Sequence, residues 1–234
     1  MKLPSFNPYL DVSTQPIGLA RYLDVFFMNI GQLLVCNILF VLCCLPVVTI
    51  GPGLIALSRV CCTALRGKKI SPVADFFGAV KNNLKPGLVL TFALVPLYLW
   101  LIYMGAAALR TDLEAGTQLA WFLLSLAAFL LLNAYTLYLL PLLAYMKADW
   151  YTVMKNAFLL CFAGKGYTLF GSVTTAAFFL AGFLALPKSI PLLALIFFSF
   201  VVYNGSFFGW KIVDQYIFTP YYEEHPEESF DDNY

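Results

Sequence analysis

Six apolar runs constrain this chain more than any other feature: residues 25–45, 50–65, 87–109, 118–145, 167–186 and 191–210. A helix needs about 20 apolar residues to cross a bilayer, and five of the six runs reach that length. The run 50–65 is shorter. As a helix it extends about 24 Å, against a hydrocarbon core of about 30 Å. Only 12% of the residues are charged and 61% are hydrophobic, whereas soluble domains carry about 25% charged residues. Such a chain cannot cover itself with polar surface in water. The expected fold is all-α: a polytopic helical membrane protein with six transmembrane helices, or five if residues 50–65 re-enter. They are arranged as three hairpins. Residues 1–24 are read as a cytoplasmic N-terminal segment, 25–210 as the transmembrane domain and 211–234 as an acidic cytoplasmic tail. The first 20 residues lack the apolar core of a cleavable signal peptide, so the first span is expected to serve as the insertion signal.

Lysine and arginine are distributed unevenly. With six crossings, one side holds Lys2, Arg21, Arg59, Arg66, Lys68, Lys69, Lys81, Lys85, Lys147, Lys155, Lys165 and Lys211, and the other only Arg110 and Lys188. The positive-inside rule makes the richer side cytoplasmic. Both termini are then inside, in the plasma membrane. If 50–65 re-enters, the N-terminus moves outside and the split falls to ten against four. The net charge of +1 gives no general attraction to nucleic acid.

Between the runs lies a repeat. Ala74-Asp75-Phe76-Phe77-Gly78-Ala79-Val80-Lys81-Asn82 is paralleled, 74 residues later, by Ala148-Asp149-Trp150-Tyr151-Thr152-Val153-Met154-Lys155-Asn156. Each copy precedes a pair of apolar runs. A fainter echo, Asp24-Val25-Phe26-Phe27 with Asn29, precedes the first pair at a different spacing. In the first copy Phe76, Phe77, Val80 and Leu84 are expected on one face, the pattern of an amphipathic helix lying in the membrane interface. Asp75, Phe76, Phe77, Lys81, Asn82, Asp149, Trp150, Tyr151, Lys155 and Asn156 are therefore candidate partner-binding residues, with the bilayer itself as the simplest partner. Upstream, Pro46 to Gly53 reads as a turn, with Thr49 expected to cap the next helix.

Within the runs the polar residues are few. Asn29, Asn37, Asn133 and Asn204 are the candidate intramembrane polar residues, with Tyr135, Tyr138 and Tyr203 beside them. They either hydrogen-bond between helices or line a polar cavity. No acid or base is expected to be buried within a span, since Asp24, Arg59, Asp149 and Lys188 all fall at span ends, which disfavours proton-coupled transport. The chain lacks HExxH, GxSxG, a P-loop and GxGxxG. His225 is its only histidine, and its six cysteines form no CxxC. No catalytic, cofactor or metal site is expected, and the protein is not expected to be an enzyme.

Leu45-Pro46-Val47-Val48-Thr49-Ile50-Gly51, followed by Ala56-Leu57, Arg66-Gly67, Asp75-Phe76-Phe77 and Lys81-Asn82-Asn83, resembles the YesL family of Gram-positive bacterial membrane proteins. The order of apolar runs extends that resemblance over residues 15–220. The family has no assigned biochemical activity, so the resemblance implies no catalytic residues. It does imply an association with carbohydrate uptake and sensing. The expected function is accordingly a non-enzymatic accessory protein, with a carbohydrate ABC transporter or a membrane sensor kinase as partner. No EAA-type segment of a transporter permease is present. The alternative is a small-solute transporter built from repeated hairpins.

Overall fold

The computed structural model describes residues 19–109, 114–146, 148–185, 188 and 190–224, and all regular structure among them is helical. Residues 1–18, 110–113, 147, 186, 187, 189 and the acidic end from His225 onward lie outside the described residues. Four helices are long and apolar enough to cross a membrane: Val47–Leu65, Leu84–Ala108, Ala115–Tyr145 and Ile190–Tyr221. A bent pair, Tyr22–Met28 with Ile30–Cys43, makes a fifth.

The helices fall into three units of the same plan. Each starts with a short helix, breaks at a single residue, runs into an outer helix and returns through an inner one. The first unit is α1 (Leu19–Met28), Asn29, α2 (Ile30–Cys43) and α3 (Ile50–Leu65). The second is α4 (Pro72–Asn82), Asn83, α5 (Leu84–Ala108) and α6 (Ala115–Tyr145). The third is α7 (Trp150–Ala163), Gly164, α8 (Lys165–Leu184) and α9, a helical run over 190–224 with π-helical turns at Leu193–Phe197 and Asp214–Phe218.

The first apolar run is thus not one straight span. It bends by 72° at Asn29, so Val25 to Met28 belong to the short helix. The local cause is the asparagine. Its Nδ2 donates to the Val25 carbonyl at 2.9 Å and its backbone leaves the helical region at ψ 11°. Asn83 closes α4 in the same way, with Nδ2 on the Ala79 carbonyl at 3.0 Å and ψ 23°. Asparagine suits this role because its side chain competes with the backbone for hydrogen bonds. Pro96, by contrast, is absorbed without a break, and α5 continues from Leu84 to Ala108.

Packing between the units is cyclic. The inner helices α3, α6 and α9 each touch the other two. Every outer helix lies between the inner helix of its own unit and that of the preceding one: α5 on α6 and α3, α8 on α9 and α6, α2 on α3 and α9. The short helices follow the same rule. α4 packs on α3 and α7 on α6, while α1 meets α9 through Tyr22 on Tyr203 and Phe207, and Phe26 on Phe200. The run 50–65 is therefore a central helix rather than a marginal one, with twelve residues buried, among them Ala56, Ser58, Cys61, Cys62 and Ala64. Small side chains let backbones approach closely.

The Pro/Gly turn before α3 is explained by this contact. The Gly51 N–H donates to Thr91 Oγ1 at 2.8 Å, and that hydroxyl in turn reaches the Val48 carbonyl at 3.0 Å. A Cβ on Gly51 would run into the Gly87 carbonyl, and one on Gly87 into Pro52. Thr49 does not cap α3 as expected. Its hydroxyl turns back to the carbonyls of Cys43 and Pro46.

Candidate functional site

The repeated segments are built alike, with one aromatic turned in and the next turned out. Phe76 is fully buried on the cluster formed by Cys36, Phe40, Ala56 and Val60, while Phe77 is 50% exposed. Trp150 is half-buried against the main core, while Tyr151 is 76% exposed. The faint third copy obeys the same rule, with Phe26 buried and Phe27 62% exposed. Adjacent helical residues point about 100° apart, so only the first of each pair packs inward. The single apolar face expected for α4 is corrected accordingly. Its buried residues are Phe76 and Ala79, and Leu84 belongs to the following helix.

The other repeat residues divide by role. Asp75 is half-buried and stabilises the start of α4, where its Oδ2 accepts the Ser71 N–H at 2.7 Å. Asp149 is exposed at the N-cap position of α7 and makes no capping bond. Lys81, Asn82 and Lys155 are exposed, and Asn156 is half-buried with Nδ2 3.9 Å from Met146 Sδ. The two segments stand on different inner helices and form separate faces.

The four asparagines do not converge either. Asn29 serves the break described above. Asn37 is fully buried and clamps the first π turn of α9: Nδ2 donates to the carbonyls of Leu193 and Ala194 at 3.1 and 2.8 Å, and Oδ1 accepts the Ser199 N–H at 2.9 Å. A π turn displaces backbone groups from their usual i−4 partners, and this side chain takes them up. Asn204 ties α9 to α8 through the hydroxyls of Thr174 and Thr175, and to α1 through the Tyr22 hydroxyl, which donates to its Oδ1 at 3.4 Å. Asn133 is buried on α6. Tyr138 bonds Thr168 at 2.6 Å, and the Tyr203 hydroxyl donates to the Tyr22 carbonyl at 2.8 Å.

What the sequence reading missed lies where α3 and α6 end against α9. Arg66 and Asp214 are each only 6% exposed, and Arg66 is the charged neighbour of Asp214. Beside Arg66 stands Tyr145, the last residue of α6. The Arg59 and Arg66 guanidiniums lie 5.5 and 5.8 Å from its ring centroid, within cation–π range. Its hydroxyl donates to the Arg59 carbonyl at 3.1 Å and is 2.8 Å from Thr63 Oγ1. Trp210 closes the group, 5.0 Å from Tyr145 and stacked on Phe218 at 5.5 Å. Asp214 lies beyond the apolar run 191–210 but within the longer helix Ile190–Tyr221. Beyond Lys211 the helix α9 continues, and Ile212, Val213 and Phe218 on it are buried. The spacing Trp210, Val213, Asp214, Phe218 was the available signal, one helix face with an acid on it.

Among the described residues no group of three or more His, Cys, Asp or Glu is placed to hold a metal. Burial pushes the Cys161 thiol on α7 up to about 11, so at neutral pH it is a protonated thiol rather than a nucleophile.

Span-length apolar helices with short helices between them define a class, that of proteins built like multi-pass membrane proteins. Within it, residues 33–105 match the family model described as a protein of unknown function, DUF624. The YesL proteins are themselves a DUF624 family, so match and resemblance agree. The matched stretch takes in most of α2, the Pro/Gly turn, α3, α4 and most of α5, including the Gly51–Thr91 contact. No curated protein and no solved structure matches the chain.

Proposed function

We propose that this is a non-enzymatic accessory protein of the plasma membrane that holds a carbohydrate transporter or sensor kinase on its cytoplasmic side. In this reading the chain crosses six times. The bent α2 and the 20-residue α8 complete the set, both termini are cytoplasmic, and the three short helices lie in the interface. The charge asymmetry of the loops supports that orientation. The observation that carries the function is the outward aromatic on every short helix, Phe27, Phe77 and Tyr151. Large aromatic side chains turned away from the fold are the residue type that anchors protein contacts. The carbohydrate assignment rests on the family resemblance alone. A non-enzymatic role is favoured by the setting of Arg66 and Asp214, which are buried beside the aromatic group of Tyr145, Trp210 and Phe218.

The test is photocrosslinking in cells from position 77 and from position 151, with mass spectrometry of the captured species. A transporter or sensor-kinase subunit captured from both positions supports the proposal. Capture of lipid alone overturns it.

One observation favours a second reading, the small-solute transporter. An ionisable residue inside a span-length helix is a functional-site candidate by default, and Asp214 is one. Uptake of sugar by proteoliposomes containing the purified chain, lost in Asp214→Asn, would establish it. Against it stand Asn37 and Asn204, which are taken up by helix–helix bonds rather than turned to a shared cavity.

A further inference from the structure

The break between α7 and α8 opens a groove of roughly 550 Å³ against α9, a size typical of small-molecule sites. Its origin is local. At Gly164 a Cβ would run into the Tyr138 hydroxyl and Thr168 Oγ1, so a glycine is required there. Lys165 then takes a positive φ of 42° and swings the chain aside. At Gly166 an added Cβ would meet nothing within 4 Å, and the mouth of the groove stays open.

The lining is chemically divided. Phe170, Phe208 and Ile212 are apolar, while Lys165 and Tyr167 are polar, and none of the lining residues is acidic. A second cation stands beside it, since the Lys211 ammonium lies 5.4 Å from the centroid of the Tyr167 ring. Two cations next to an apolar cleft, at the end of the bundle rich in lysine and arginine, complement one kind of molecule. We propose that the groove binds an anionic phospholipid, with its phosphate at Lys165 and Lys211 and an acyl chain along Phe170, Phe208 and Ile212. This goes beyond the accessory role and does not depend on it, because the lipid would bind whether or not a protein partner docks.

The test uses the purified full chain in detergent. Dioleoylphosphatidylglycerol and dioleoylphosphatidylcholine are titrated separately, and bound lipid is counted by native mass spectrometry. The glycerol lipid is expected to bind at least about tenfold more tightly. With each lysine near a membrane surface contributing about fivefold, the double variant Lys165→Gln/Lys211→Gln should lose about thirtyfold for that lipid. Lys188→Gln, the same charge change in the α8–α9 connection at the other end of the bundle, should not weaken it. Gly166→Leu adds bulk to the lining at a position where an added Cβ meets nothing within 4 Å, and should weaken both lipids, which tests the cleft independently of charge. Equal affinity for the two lipids would overturn the proposal. So would unchanged binding by both the double variant and Gly166→Leu, or displacement of the glycerol lipid by inorganic phosphate at equal concentration.

Discussion

Asn37 shows how one polar side chain sets the geometry of a helix it does not belong to. Its three hydrogen bonds reach the backbone of α9, 156 to 162 residues away in sequence. Interhelical hydrogen bonds in membranes average about 0.6 kcal/mol and reach about 1.7. Asn37→Leu is therefore expected to lower the stability of the purified protein by about 2 kcal/mol, more than Asn29→Leu. Thermal unfolding in detergent compares the two, and equal midpoints would show that the π turn stands without the clamp. The role of asparagine as glue was legible in the sequence, because an amide in an apolar run needs a partner and the neighbouring helix is the nearest source. Its particular partners were not, since a π turn leaves no sequence signature. The opposite failure occurred at Asp214. Lys211 reads as the end of the last apolar run, yet the helix continues past it and carries an acid into the packed end of the bundle.

At the scale of elements, the repeated short helices separate a structural aromatic from a presented one. Phe76→Ala removes a fully buried ring and is expected to cost about 3–5 kcal/mol. Phe77→Ala, one residue away, removes a half-exposed ring and should change stability by no more than about 0.5 kcal/mol. Paired denaturation curves decide the point, and similar losses for the two would mean that α4 packs with its other face inward. The two strong copies of the motif were legible because they share an Asp-aromatic-aromatic start and a Lys-Asn end. The first copy was hard to read because it is fused to an apolar run, and apolarity alone carries no sign of the 72° bend at Asn29. Aligned on their breaks, Asn29 corresponds to Asn83, which shifts the two aromatic pairs by one helical turn relative to each other. α7 ends seven residues later against the motif than α4 does, about two turns. The repeat is therefore conserved in plan and variable in length, and that variation hides it from a fixed-offset comparison.

At the scale of the whole molecule, the six-crossing reading makes a direct prediction. Single cysteines placed at Lys69 and at Lys188, both exposed, in a chain freed of its own cysteines, should react with a membrane-impermeant maleimide from opposite sides. Position 188 should label in intact cells and position 69 only after permeabilisation. Labelling of both from one side would reduce the crossing number. The sequence made the number and order of apolar runs legible, along with their polarity. It did not reveal that 50–65 is central. Its shortness suggested a marginal helix, whereas its glycines, alanines and cysteines are what admit it to the middle.

The cyclic packing has a consequence for biosynthesis. The chain leaves the ribosome as a line, but the contacts it must make form a ring. α1 and α2 are made first, and their partner α9 is made last. Until α9 arrives, Asn37 lacks the backbone groups it bonds, and Tyr22 and Phe26 lack the rings they pack on. The first unit therefore stays incomplete until the chain has been translated as far as α9. Closure by α9 supplies those partners, so the first unit is completed only when the third is in place.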